Sequence, residues 1–126
     1  MILAVGIDVA SIERMGVAVA RHGERFVARL FSPEERAFFS GREGRALFAT
    51  LAGRFAAKEA WSKCLDGARG VPWHDVQVLA NPSGRPHIEV RGEAAERCAR
   101  LGVVRSHLSI THDAGVAAAV VVLEGA

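Results

Sequence analysis

One stretch limits the fold more than any other. From Arg45 to Leu65 the chain is dominated by Ala, Arg, Lys and Glu, all good helix formers. Leu47, Leu51, Phe55 and Cys64 recur at the spacing of a core-facing helical stripe. The pattern predicts the long helix around which the chain is organised. At its centre lies Gly53-Arg54-Phe55-Ala56-Ala57-Lys58-Glu59-Ala60-Trp61-Ser62-Lys63.

Glu59 and Lys63 sit four apart and share one helix face, with Glu on the N-terminal side. On spacing alone they read as a solvated ion pair worth a few tenths of a kcal/mol, roughly. A distant residue changes that reading. Val5-Gly6-Ile7-Asp8 ends a short apolar run, and an acid at a strand end facing this helix would set two carboxylates beside an ammonium. Hard oxygen ligands of that kind suit Mg²⁺, which binds through one or two carboxylates together with substrate phosphates. Taken alone, Asp8 reads as a turn residue closing its strand. Lys58 points elsewhere on the helix, since one residue turns it about a hundred degrees, and is consistent with a phosphate or a structural contact.

With 126 residues, half of them hydrophobic, a single domain spanning 1–126 with a real core is expected. The formal net charge of +2 is too small to argue for nucleic acid by itself. Cys64 and Cys98 lack metal-ligand spacing and read as reduced, buried thiols. Asp8 interrupts the N-terminal apolar run early, which argues against a signal peptide, and no run is long enough to span a membrane. A cytoplasmic protein is expected.

Met1 to Val9 reads as a strand in which Asp8 shares a nearly bare face with Gly6 and Ala4. Ser11 can cap a helix starting at Ile12, with an apolar stripe of Ile12, Met15, Val19 and Phe26. Arg14, Arg21 and Arg25 fall on another line of that helix, because seven and eleven residues both return to nearly the same angle. The line is either an ordinary solvated face or a docking stripe for an acidic partner, and Gly23 is placed to break it. Ser32-Pro33-Glu34-Glu35 is a capping box opening a second helix to about Ser40.

The stretch from Asp66 to Pro72 reads as a loop. Asp75 to Ala80 and His87 to Val90 form a hairpin around the turn Asn81 to Pro86. Gly92 to Leu101 makes a helix with Gly102 as its C-cap. Ser106 to Thr111 reads as a strand ending at His112, and the turn Asp113-Ala114-Gly115 leads to a last strand, Val116 to Leu123. The unbroken apolar run of that strand implies burial on both faces. The chain is therefore α+β: a small, mostly antiparallel sheet packed with a long central helix and several shorter helices. His22, His74, His87 and His107 have no partner by spacing. His112, just before a turn, is consistent with a functional loop position and equally with a hydrogen-bonded strand end.

Val5-Gly6-Ile7-Asp8 and the downstream Phe55-Ala56-Ala57-Lys58-Glu59-Ala60-Trp61-Ser62-Lys63 together resemble the two-part signature of the small bacterial 4′-phosphopantetheinyl transferases, the holo-acyl-carrier-protein synthases. Ile12-Glu13-Arg14, Ser32-Pro33-Glu34-Glu35, Gly84-Arg85-Pro86 and Ser109-Ile110-Thr111-His112 extend the resemblance over nearly the whole chain. Arg85 stands where the family often has Lys, and the charge is kept.

The resemblance implies transfer of the phosphopantetheine arm of coenzyme A to a serine of apo acyl carrier protein, releasing adenosine 3′,5′-bisphosphate, in fatty acid biosynthesis. It implies Asp8 and Glu59 as Mg²⁺ ligands and Lys63 as a phosphate contact, with Asp8, Glu59 and Lys63 forming the catalytic set. Glu59, directly or through a water, is the choice for serine deprotonation, although a metal-held carboxylate is a poor base. Arg54, Lys63, Gly84, Arg85, Pro86 and His112 are assigned to coenzyme A; Ser109 and Thr111 either assist or, by strand alternation, face solvent. Arg14, Arg21 and Arg25 gain an acidic carrier protein as partner. The family also implies a homotrimer with sites between subunits, Asp8 and Glu59 from one and His112 from the next.

Two other readings compete. A basic module binding an acidic protein or RNA explains the arginines but leaves Asp8, Glu59 and Lys63 as coincidences. Another Mg²⁺-dependent pyrophosphate-processing enzyme explains the acids but not the arginine stripe.

Overall fold

Strand β1 (Ile2–Ser11) runs straight into helix α1 (Ile12–Leu30), because the Ser11 hydroxyl accepts the Arg14 backbone N–H and caps it. Helix α2 (Pro33–Phe39) and the long α3 (Gly44–Cys64) follow. Strands β2 (Val76–Ala80) and β3 (Pro86–Val90) form a hairpin, α4 (Gly92–Leu101) packs after it, and β4 (Val103–Asp113) and β5 (Val116–Gly125) close the chain. The computed structural model describes all 126 residues. No helix in it is long and apolar enough to cross a membrane.

The architecture is α+β, with the strands divided between two antiparallel sheets, β1-β5-β4 and β2-β3. Helix α3 crosses the inner face of the larger sheet on the diagonal. At one end Gly53 faces Ile110 and His112 of β4; at the other, Gly6 of β1 meets the backbone of Ala60. A Cβ at Gly6 would overlap the Ala60 carbonyl oxygen, so glycine sets how closely strand and helix approach.

The expected stripe on α3 is wider in fact. From Thr50 to Trp61 the helix is buried around nearly its whole circumference, with only Phe55 and Glu59 half-open. One core, beneath Trp61, Val121, Leu123, Val78, Ile88 and Cys98, fills the space toward both sheets and α4. A second, with Ile12, Met15, Phe31, Phe39 and Leu51, lies toward α1 and α2. A helix covered on every side is apolar or small on every side. The alanines at 52, 56, 57 and 60, all fully buried, are what let its neighbours come close.

Burial of β5 on both faces does not hold. Its residues alternate: Ala117, Ala119, Val121 and Leu123 are buried against α3, while Ala118, Val120 and Val122 are only partly covered. The three-stranded sheet carries a helix on one side alone. Its outer face exposes Val5, Ile7 and Val9 of β1, each about three-fifths accessible. Strand β4 is longer than expected because it stays paired with β5 from Val103 to Asp113. The two-residue turn Ala114-Gly115 joins them, both residues at positive φ, as tight hairpins require.

Helix α1 is interrupted as expected. Gly23 sits at φ 66°, ψ −154°, so the helical arithmetic linking Arg25 to Arg14 and Arg21 fails at that point. Three of these histidines do have partners: His74 with the distant Ala28 carbonyl, His107 with Glu124 across the β4–β5 pair, and His87 with Glu89 two residues along the same strand.

A buried polar knot joins α2, α3 and β2. The Ser32 hydroxyl accepts the Glu35 N–H while Glu35 Oε1 accepts the Ser32 N–H, the capping box of α2. The same Glu35 carboxylate also accepts Lys58 Nζ at 2.8 Å and the Val78 N–H at 2.9 Å. Lys58 Nζ completes its donors on the Trp73 and Val76 carbonyls, and the Ser32 hydroxyl donates to Gln77. Lys58 is thus a structural contact. Burial pulls its ammonium down from the ordinary lysine range while Glu35 opposes that shift. Breaking one side of such a pair strands a buried charge. Lys58→Met is expected to destabilise the fold by roughly 3–5 kcal/mol, read from the urea unfolding midpoint; an unchanged midpoint would show that the knot contributes nothing.

Candidate active site

Because α3 is covered almost everywhere, the seam where it reaches solvent stands out. Phe55, Glu59 and Lys63 follow one another at four-residue spacing along this seam, on one helix face. The end of β1 runs beside its last turn. Lys63 Nζ donates to Asp8 Oδ1 at 3.0 Å and to the Ile7 carbonyl at 3.0 Å. The Asp8–Ala119–Ile110 row places Asp8 on the inner face of the sheet, where the small side chains of Gly6 and Ala4 leave room for α3.

Glu59 is the group most affected by this arrangement. Partial burial raises its carboxyl above the ordinary range, the neighbouring Asp8 charge raises it further, and Lys63 works against both. Two carboxylates that feel each other's charge create a demand for a cation. Chemically, the pair fits Mg²⁺ better than a transition metal. The chain has no group of three or more His, Cys, Asp or Glu side chains able to hold a metal ion, and Mg²⁺ asks for one or two carboxylates and leaves its remaining positions to water and phosphate.

Two recesses flank the seam. Beside Glu59 and Ser62, a cleft of about 190 Å³ is walled by Ala68, Val71, Pro72 and Trp73. On the other side, Val9, Met15, Phe26, Leu30 and Phe55 line a recess of about 390 Å³ with Arg14 at its edge. Phe55 and Trp73 stack with ring centroids 5.6 Å apart and form the wall between them.

A family model for the 4′-phosphopantetheinyl transferase superfamily matches residues 4–121. The chain belongs to that superfamily. Among proteins of known name, a holo-acyl-carrier-protein synthase from Streptomyces griseus is 49% identical over 125 residues, covering 99% of this chain and 100% of its own. One from Anaeromyxobacter sp. (strain K) is 48% identical over 128 residues, covering 99% and 98%. The crystal structure of the Helicobacter pylori holo-acyl-carrier-protein synthase in complex with coenzyme A is similar in fold, with a TM-score of 0.81 at 33% identity over 95% of this chain and 99% of that one.

Of the residues singled out from sequence, this member of the superfamily brings Asp8, Glu59 and Lys63 together within one chain. The others stand apart. His112 lies on the far edge strand of the sheet, two strands from Asp8, where its Nε2–H donates to the Ala49 carbonyl at 3.0 Å. Gly84, Arg85 and Pro86 occupy the exposed β2–β3 turn, closed by hydrogen bonds from Gly84 and Asn81.

Arg54 is buried on the α2 side of α3, its guanidinium 4.1 Å from the centre of the Phe38 ring. Burial and the nearby Arg42 bring it down to about 10, and its Nε has no hydrogen-bond partner. Sequence reasoning missed Arg42, which lies over the same ring at 4.6 Å and donates to Thr50. Two guanidiniums around one ring, with Glu35 already engaged by Lys58, leave uncompensated positive charge there.

Arg14 and Arg21 project from the first part of α1, whereas Arg25 shares a separate recess with His22, Phe26 and Arg29. None of Arg14, Arg21, Arg25 or Arg29 forms an ion pair within the chain, unlike Arg97 with Glu93 or Arg105 with Glu124.

Replacing Asp8 by Asn removes the like charge facing Glu59. The Glu59 carboxyl is then expected to titrate at lower pH than in the wild type, as followed by carbon-13 NMR of the labelled side chain. An unchanged titration would mean that the two carboxylates do not interact.

Proposed function

We propose that the chain transfers the 4′-phosphopantetheine group of coenzyme A to a serine hydroxyl of apo acyl carrier protein, releasing adenosine 3′,5′-bisphosphate. The observation that carries this reading is the Asp8–Lys63–Glu59 cluster on the open seam of α3, between the Trp73 cleft and an arginine-bearing helix. It is supported by relatives named for that synthase activity and by the neighbour crystallised with coenzyme A.

Asp8 and Glu59 are the residues that would hold Mg²⁺, which when bound would neutralise and orient the diphosphate of coenzyme A. Lys63, half exposed and reaching Asp8 from the next turn, places an ammonium where charge develops on the phosphoryl oxygens. In the transfer, the serine Oγ forms a bond to the β-phosphorus and the bond from that phosphorus to the bridging oxygen breaks. The bridging oxygen departs on adenosine 3′,5′-bisphosphate. The serine proton passes to Glu59, directly or through a water.

The cleft with Trp73 and Val71, apolar on one wall and polar at Glu59 and Ser62, suits the amide-bearing pantetheine arm, while Arg54 with Arg42, the Gly84–Arg85–Pro86 turn and His112 suit the phosphates and the adenosine end. Within one chain His112 lies two strands away from Asp8. A second subunit supplying His112 against the first subunit's Asp8 and Glu59 resolves the distance. The exposed Val5, Ile7 and Val9 face of the sheet supports such assembly, as a homotrimer. Arg14 and Arg21, free of internal ion pairs, then dock the acidic carrier protein beside the site, with Arg25 and Arg29 extending the positive surface beyond the Gly23 break. The chain would act in the cytoplasm, in fatty acid biosynthesis.

Incubation with coenzyme A, Mg²⁺ and an apo carrier protein should raise the carrier's mass by one phosphopantetheine. A carrier of unchanged mass would overturn the reading, and Glu59→Gln should abolish the gain. Arg14→Ala should raise KM for the carrier several-fold, more at low salt, and leave coenzyme A affinity alone; equal loss of both would remove the docking role. Ile7→Lys, a charge on the bare sheet face, should shift the protein to a monomer in light scattering.

A further inference from the structure

We propose that the Lys63 ammonium holds, on Asp8, the place a divalent cation must share, so that cation and diphosphate load together and each binds poorly alone. The inference rests on the reading of Asp8 and Glu59 as the cation-holding pair and adds to it a control on when they can do so.

Lys63 is fixed at both ends of a short path. Its Nζ donates at 3.0 Å to Asp8 Oδ1 and at 3.0 Å to the Ile7 carbonyl, so the ammonium sits at the strand end itself. The Asp8 side chain is only 18% exposed, which leaves few other directions from which a cation can approach its oxygens. A Mg²⁺ ion needs carboxylate oxygens at 2.0–2.1 Å, roughly. A dication at that distance from Asp8 and an ammonium on the same carboxylate repel each other, and one must give way. Lys63 can give way easily. Its side chain is 56% exposed, so water can solvate the ammonium as it leaves Asp8.

What draws it off is an anion. The diphosphate of coenzyme A offers oxygens to the ammonium at the same moment as it completes the cation's shell. Bound diphosphate therefore strengthens cation binding, and by linkage the cation strengthens diphosphate binding by the same factor. Lys63 is in this respect a positioning residue as well as a phosphate contact, and its charge, more than its length, is what excludes the free ion.

Manganese binding followed by electron paramagnetic resonance tests this, with the wild type, Lys63→Met and Lys63→Arg each titrated with and without coenzyme A. In the absence of coenzyme A, Lys63→Met should bind Mn²⁺ more tightly than the wild type, by up to about fivefold, the upper range for an exposed ion pair. Lys63→Arg, which keeps the charge, should stay near the wild type. Coenzyme A should tighten Mn²⁺ binding in the wild type and do so less in Lys63→Met. If the wild type binds Mn²⁺ with coenzyme A but Lys63→Met binds the free ion no more tightly than the wild type, the placeholder role is wrong while the two-carboxylate reading stands. If none of the three proteins binds Mn²⁺ even with coenzyme A, the two-carboxylate reading fails and this inference with it.

Discussion

The buried contact between Lys58 and Glu35 is the constraint on which the arrangement depends. Both side chains are essentially inaccessible, and neither charge would survive there alone. Glu35 uses both carboxylate oxygens, tying its own helix start, the ammonium of α3 and the first part of β2 into one unit. The ammonium in turn holds the carbonyls at Trp73 and Val76. That fixes the rotation of α3 about its axis. Once Lys58 points inward, the next residue, Glu59, faces the one side left open, and Trp73 is held where it walls the cleft beside it. The ion pair lies away from the seam and orients the residues proposed to act there.

Much of this was legible along the chain because the signals were local. Ser11 and Ser32 mark helix starts with side chains that accept an N–H of their own first turns, and both caps form. The β2–β3 hairpin, the Gly102 cap and the break at Gly23 likewise follow from residues acting on their immediate neighbours. Asp8, Glu59 and Lys63 were legible by resemblance, and their meeting depends on a nearly bare strand face that the sequence also displayed.

What stayed hidden was set by distant partners. Spacing showed that Lys58 and Glu59 face different ways; it could not say which of several elements Lys58 would meet. An apolar run such as Val116 to Leu123 looks the same whether a sheet is covered by a helix on one side or on both. Asp75 accepts the backbone N–H of Glu93 at the start of α4, eighteen residues later, and no local pattern announces it. Arg42 gave no signal because its significance lies in a ring and a second guanidinium that only the fold brings near.

Gly6 carries a further consequence. Where most strands and helices are kept apart by side chains that can reshape themselves, here main chain rests on main chain. At this point the gap between β1 and α3 is set by glycine and backbone and not by the size of a side chain. Any larger residue at position 6 would push the strand off the helix and carry Asp8 away from Glu59 and Lys63.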